Sequence, residues 1–251
     1  MRFRCCHSTH LPSATLVILI LAATFPGASA ATDPEQIPSF EWTSGPATCP
    51  LGHVARIELP AGYQFTGKEG TRAILESMGN PTGGNECGLV TPEATHESGA
   101  GWFVVFQYDP IGYVRDTEKD QLDADVILES IRKGNEKATE FRRENGWPEM
   151  QVLGWSKAPF YDERTHKPNW AILGSAEGMP SVNYAVRLLG RGGSMSADLV
   201  IDPESLDAAL PAFETLLAAF SFTPNNEYAA FREGDKVAKY GLTALVAGGA
   251  G

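Results

Sequence analysis

The residues best suited to chemistry sit in one short run, Tyr161-Asp162-Glu163-Arg164-Thr165-His166, where a carboxylate and an imidazole lie four positions apart. Histidine changes charge near neutral pH and a nearby aspartate can orient its ring, so Asp162 and His166 could perform acid/base chemistry or hold a cation. Arg187 and Arg191 follow downstream and could retain an anionic substrate, with Tyr161 as a neighbouring ring. The same run also reads as a polar hairpin tip between Phe160 and Trp170, with Asp162 bonding the turn backbone. The turn is the preferred reading. Tyr161, Asp162, His166, Arg187 and Arg191 therefore stand as candidate binding residues, and a hydrolase or cation-dependent enzyme using Asp162 and His166 is the alternative.

Other chemistries find less support. After residue 30 the histidines are His53, His96 and His166, and no two have ligand spacing such as His-x-x-x-His, so no metal site is expected. Gly190-Arg191-Gly192-Gly193 resembles a phosphate-cradling loop, yet such loops lead into a helix and here a strand pattern follows, which makes it a hairpin turn. Gly154-Trp155-Ser156 and Gly174-Ser175 lack the Gly-x-Ser-x-Gly frame of a serine nucleophile. No catalytic set and no cofactor are expected. A third reading, a small-ligand binder lined by Tyr113, Trp155 and Tyr161, depends on those rings being outside the core.

Charge and composition narrow the class. Lys plus Arg total 20 against 31 Asp plus Glu, a net charge of −11, which argues against a nucleic-acid partner because phosphate binding needs a basic field. With 43% hydrophobic and 20% charged residues the chain is neither disordered nor a polytopic membrane protein. Arg2 and Arg4, the apolar run Leu16 to Leu21, and Ala28-Ser29-Ala30 form a secretory signal peptide, residues 1–30, cut after Ala30. Export leaves two cysteines, Cys49 and Cys87, and an oxidising compartment would let them form a disulfide contributing about 3 to 4 kcal/mol. A catalytic thiol would need a base or cation beside it, and nothing near either cysteine in the sequence supplies one.

These residues need a scaffold to position them. Residues 31–50 carry Pro34, Pro38 and Pro46 and read as an extended leader. Strand signals begin at Val54, Ile57 and Leu59; Thr66 and Glu69 form a capping-box pattern before a short helix that ends at Gly79-Asn80-Pro81. Trp102 to Tyr108 is apolar at both parities, as expected of a central strand covered on both faces. Asp123 opens the longest helix, whose stripe runs through Ile127, Leu128, Ile131, Ala138 and Phe141 to Asn145-Gly146. Short strand runs from Val152 to Ile201 form an antiparallel meander, followed by a helix from Asp202 in which Pro211 should make a break or kink, and by a closing strand at Phe220 to Thr223. The pattern is α+β, an antiparallel-rich sheet with about three helices packed on it, forming a single domain over residues 51–224. Residues 225–240 read as a linker, and Gly241 to Gly251 as the start of a truncated C-terminal transmembrane segment.

Several ordered stretches carry a resemblance: GYQF at 62–65, GNPTG at 79–83, GYVRD at 112–116, ENGWP at 144–148, the run at 153–171, NYAVRLLGRGGSMSADLV at 183–200 and YGLTALVAGG at 240–249. Together they resemble an uncharacterised family of bacterial hypothetical membrane-anchored proteins. The resemblance implies an exported domain held by one C-terminal transmembrane helix, and it brings no catalytic residues. The expected protein is thus a non-catalytic envelope module, attached to the membrane through its C-terminal segment and contacting another envelope protein or a ligand.

Overall fold

The computed structural model describes residues 40–93, 101–116, 122–162 and 167–247. The strands are β1 (Thr43–Ser44), β2 (Ala47–Leu51), β3 (Ala55–Leu59), β4 (Tyr63–Gly67), β5 (Glu86–Pro92) and β6 (Phe103–Asp109), continuing with β7 (Met150–Asp162), β8 (Lys167–Ala176), β9 (Met179–Leu189), β10 (Ser194–Ile201) and β11 (Phe220–Phe222). The helices are α1 (Lys68–Ser77), α2 (Ala124–Glu144), α3 (Leu206–Ala219) and the short α4 (Leu242–Val246). One sheet has eight strands in the order β1-β4-β5-β6-β10-β9-β8-β7, and a second has the order β11-β3-β2. All pairings between these strands are antiparallel. The expected α+β class and the meander from β7 to β10 are both present.

Parity along β6 explains how the layers stack. Val104 and Phe106 face a core shared with β2, β3 and α3, whereas Phe103 and Val105 face α1 through Leu75 and Met78. Successive strand residues point to opposite faces, so a strand apolar at both parities must lie between two layers. The large sheet is the middle layer: β3, its partners and α3 cover one face, and α1, α2 and α4 cover the other.

Helix α2 follows its sequence signals closely. The Asp123 carboxylate accepts bonds from the amides of Asp125 and Val126, which answers two of the donors a helix start leaves open. Ile127 and Ile131 are buried on Met150, Trp170 and Ile172, each removing roughly 2 kcal/mol of apolar exposure. Gly146, at φ +69°, turns the chain out of the helix where a side chain would be strained. Arg142, on the same helix, is buried: Nη1 donates to the Gly79 carbonyl at 3.1 Å and Nη2 to Asn80 Oδ1 at 3.1 Å, tying the end of α2 to the end of α1. Burial holds its pKa below the ordinary arginine value.

Four expectations are corrected. The capping box at Thr66 does not form, because Thr66 is a buried residue of β4 and the helix starts from Gly67 without a side-chain cap. Pro211 lies inside α3 without breaking it; its ring is exposed, and Ala209, Phe213 and Leu216 hold the helix against the sheet. The stretch read as leader contributes β1 and β2, with Cys49 buried, so folding begins before residue 51. Finally, the stretch read as a linker is packed on the domain. Arg191 bonds both oxygens of Asp235 at 2.7 Å, Tyr113 stacks on Tyr228 and Phe231 at 4.4 and 4.1 Å, and the Tyr113 amide donates to the Lys236 carbonyl. Gly112 permits that approach, since a Cβ there would lie 2.7 Å from the Lys236 carbonyl oxygen.

The segment from Gly241 forms α4, with Leu242 and Leu245 buried against Val114 and Val246 buried beside Ile127 and Trp170. Among the described residues no helix is long and apolar enough to cross a membrane. The signal peptide expected at 1–30 lies outside the described residues.

Candidate functional site

A groove of about 580 Å³ runs between the ends of β7, β8 and β9 and the side of α3. Tyr184 reaches it because even-numbered residues of β9 face α3, where its ring meets Phe213 edge-on at 5.9 Å. The Lys157 ammonium sits 5.0 Å from the Phe160 ring centroid and 5.6 Å from that of Tyr184, contacts worth about 0.5 to 1 kcal/mol each at an exposed site. Asp162, Lys167 and Glu214 complete the charged lining. Burial, and then the charges of Glu214 and Asp162, push the Tyr184 phenol above its ordinary pKa, so it remains a donor near two acceptors. The groove therefore offers both charge signs, a phenol and aromatic surface along one open wall.

Of the described sequence candidates, Asp162 alone is placed in this groove. Tyr161, one residue earlier, points through the opposite face, packs near Val114 and Leu242, and donates to Asp116 Oδ2 at 3.4 Å. Arg187 lies on that opposite face too, paired with Asp198 at 3.2 Å and stacked 4.8 Å above Trp170. Arg191 is at the β9–β10 turn, engaged with Asp235. His166 lies outside the described residues. The four described candidates do not converge, because strand alternation sends neighbours to opposite sides. The third reading fails in a similar way: Tyr113 is stacked between two rings, while the Trp155 indole donates to the Ala124 carbonyl and packs beside α2.

Cys49 and Cys87 are free thiols, so the expected disulfide is not formed here. Burial raises both pKa values, that of Cys87 to about 11 and that of Cys49 with help from Glu58. A thiol so disfavoured as thiolate is a poor nucleophile. Among the described residues no group of three His, Cys, Asp or Glu could hold a metal ion.

The sequence reading missed a second polar region, on the helix side of the large sheet. Along β9 and β10 the face toward α3 is apolar, with Val182, Tyr184, Val186, Met195, Ala197 and Leu199. The other parity carries Ser181, Asn183, Arg187, Ser194, Ser196 and Asp198, all buried except the half-buried Asp198. Ser196 is the register partner of Arg187 on one side and of Gln107 on the other, and Ser194 stands opposite Asp109. Asn85 Nδ2 donates to Asp109 Oδ1 at 2.9 Å. Burial pushes the Asp109 carboxyl up; Arg187 and the Asn85 bond oppose this and Asp198 reinforces it. Arg187 Nε, Ser194 Oγ and Ser196 Oγ have no hydrogen-bond partner among the described residues. Leaving a buried polar atom unanswered costs about 1 to 3 kcal/mol, so a concentration of them calls for a compensating partner, water included. The polar alternation in Asn-Tyr-Ala-Val-Arg and Ser-Met-Ser-Ala-Asp, interrupted at Ala185, was the available signal.

Residues 43–251 match a family described as protein of unknown function (DUF2167). The chain belongs to this family. No curated protein matches it. Among solved structures, that of cyanobacterial PsbP (CyanoP) from Synechocystis sp. PCC 6803 aligns with a TM-score of 0.41 and 12% identity over 77% of this chain and 98% of that one, too distant to bear on activity. Within this DUF2167 domain, then, two polar regions lie on opposite faces of one sheet: an open groove of mixed charge and a buried strip with unanswered donors.

Proposed function

We propose that the chain is an exported, non-catalytic binding module of the cell envelope, and that the groove beside α3 is its binding surface. The open, mixed-charge wall formed by Lys157, Asp162, Tyr184 and Glu214 supports this reading, since it offers donors and acceptors of both signs and, among the described residues, no convergent nucleophile and base. The charged start, apolar run and Ala-Ser-Ala exit support export. Attachment to the membrane on the C-terminal side belongs to the proposal on the resemblance alone, since Leu242, Leu245 and Val246 of that uncharged run pack inside the domain and no helix among the described residues is long and apolar enough to cross a membrane. The partner is another envelope protein or a ligand bearing charges of both signs.

The test expresses the full chain with a photo-crosslinking residue at Glu214, and in parallel at the exposed Glu204. The expected outcome is a mature chain beginning at Ala31 in the envelope fraction, with a discrete adduct from position 214 that Lys157→Glu abolishes. An intact amino end in the cytosol, or equal adducts from both positions, overturns the proposal. The enzyme alternative keeps one supporting observation, the place of Asp162 in the groove. Hydrolytic turnover lost in both Asp162→Asn and His166→Ala would favour it.

A further inference from the structure

We propose that the polar strip of β9 and β10 is a second binding site, taking a small oxyanion through Arg187, Ser194 and Ser196. The three unanswered atoms can all act as donors: Arg187 Nε only donates, and each serine hydroxyl can rotate to donate. Their positions adjoin. Arg187 and Ser196 are cross-strand partners, and such neighbours on one face stand about 5 Å apart at Cβ; Ser194 is the next residue on that face. The guest that such donors suit has two or three acceptor oxygens, as a carboxylate or a phosphate does. The guanidinium is already fixed by Trp170 and by its Nη1 bond to Asp198, so little side-chain freedom remains to be lost on binding.

The acids nearby set the conditions. Asp198 is compensated by Arg187, and Glu86, contributed by β5, is held by the amides of Gly83 and Gly84. Helix α4, Leu-Thr-Ala-Leu-Val, brings no charge. Asp109, opposite Ser194, is the acid an incoming anion would oppose, and burial favours its neutral form. Anion binding therefore proceeds with proton uptake at Asp109, and affinity rises as pH falls.

The experiment titrates acetate, and separately inorganic phosphate, into the full chain while following the Arg187 Nε–H resonance. A saturable shift that tightens as pH is lowered is expected, as is a loss of about tenfold or more in affinity in Ser194→Ala/Ser196→Ala, whose fold near-ultraviolet dichroism verifies. Asp109→Asn should bind at neutral pH as tightly as the wild type does in acid, without the pH dependence. Saturation by acetate, phosphate or both supports the site, and the pattern identifies the chemistry. Absence of saturation with either anion means that water alone fills the strip, and a shift unchanged in the double serine variant places binding elsewhere; both results overturn the proposal.

Discussion

The two faces of the large sheet treat polar groups in opposite ways. On the α3 side the sheet is apolar in its interior, and its charges stand at the solvent margin, where Lys157 and Glu214 border the groove. On the helix side, Arg187, Ser194, Ser196 and Asp109 are buried. Exposed charges cost little and can be rearranged by evolution or by a partner, whereas buried ones persist only where something compensates them. Location thus separates charges open to solvent from polar groups held in place within the interior.

Substitutions can break this contrast. The largest losses should come from one residue on each side. Arg187→Ala leaves Asp198 without its cation and should cost about 3 to 5 kcal/mol in urea denaturation. Phe213→Ala, which empties the core beneath the groove, should cost about 3 to 5 kcal/mol and also distort Tyr184, so it alone of the pair should impair crosslinking from the groove. Ser194→Ala with Ser196→Ala should change stability by less than about 1 kcal/mol in the absence of anion, because each deletes a hydroxyl already lacking a partner. A large loss there would show that the strip is structural.

The pH response is a finer discriminator. The folded pKa of Asp109 is raised, so the native state holds its proton more firmly than the unfolded chain does. Its favourable contribution is therefore complete below the unfolded carboxylate value and is lost as pH rises through the folded value. Asp109→Asn should flatten that fall in a denaturation series from acid to neutral pH. Asp235 has the opposite sign: Arg191 and the Arg232 amide lower it to about 2, so its contribution is present above the ordinary aspartate range and lost as pH falls toward 2. A modest effect on stability belongs to Lys157→Ala, which loses two exposed ring contacts and should cost about 1 to 2 kcal/mol while abolishing groove binding.

Much of the architecture was legible because its signals are local. Asp123 caps α2, the Gly190–Gly193 run is a hairpin turn, and the two-parity β6 occupies the sheet interior, as periodicity and turn chemistry required. What escaped depends on tertiary neighbours. Thr66 resembled a cap until β4 buried it, and the apparent linker is held by Arg191 and Tyr113, residues distant from it in sequence. The candidate site was only partly readable. Asp162 was found through composition, but its supposed companions Tyr161 and Arg187 point the other way, and register, which decides this, is not visible in a residue list. The polar parity of β9 and β10 was visible and was overlooked because its apolar parity already satisfied the strand reading.

The docking of α4 has a consequence for presentation. Leu242, Leu245 and Val246 secure the C-terminal segment to the face opposite α3. The proposed tether at that segment would meet the helix-bearing side first and leave the Lys157–Glu214 wall turned outward, open to a visitor from the far side.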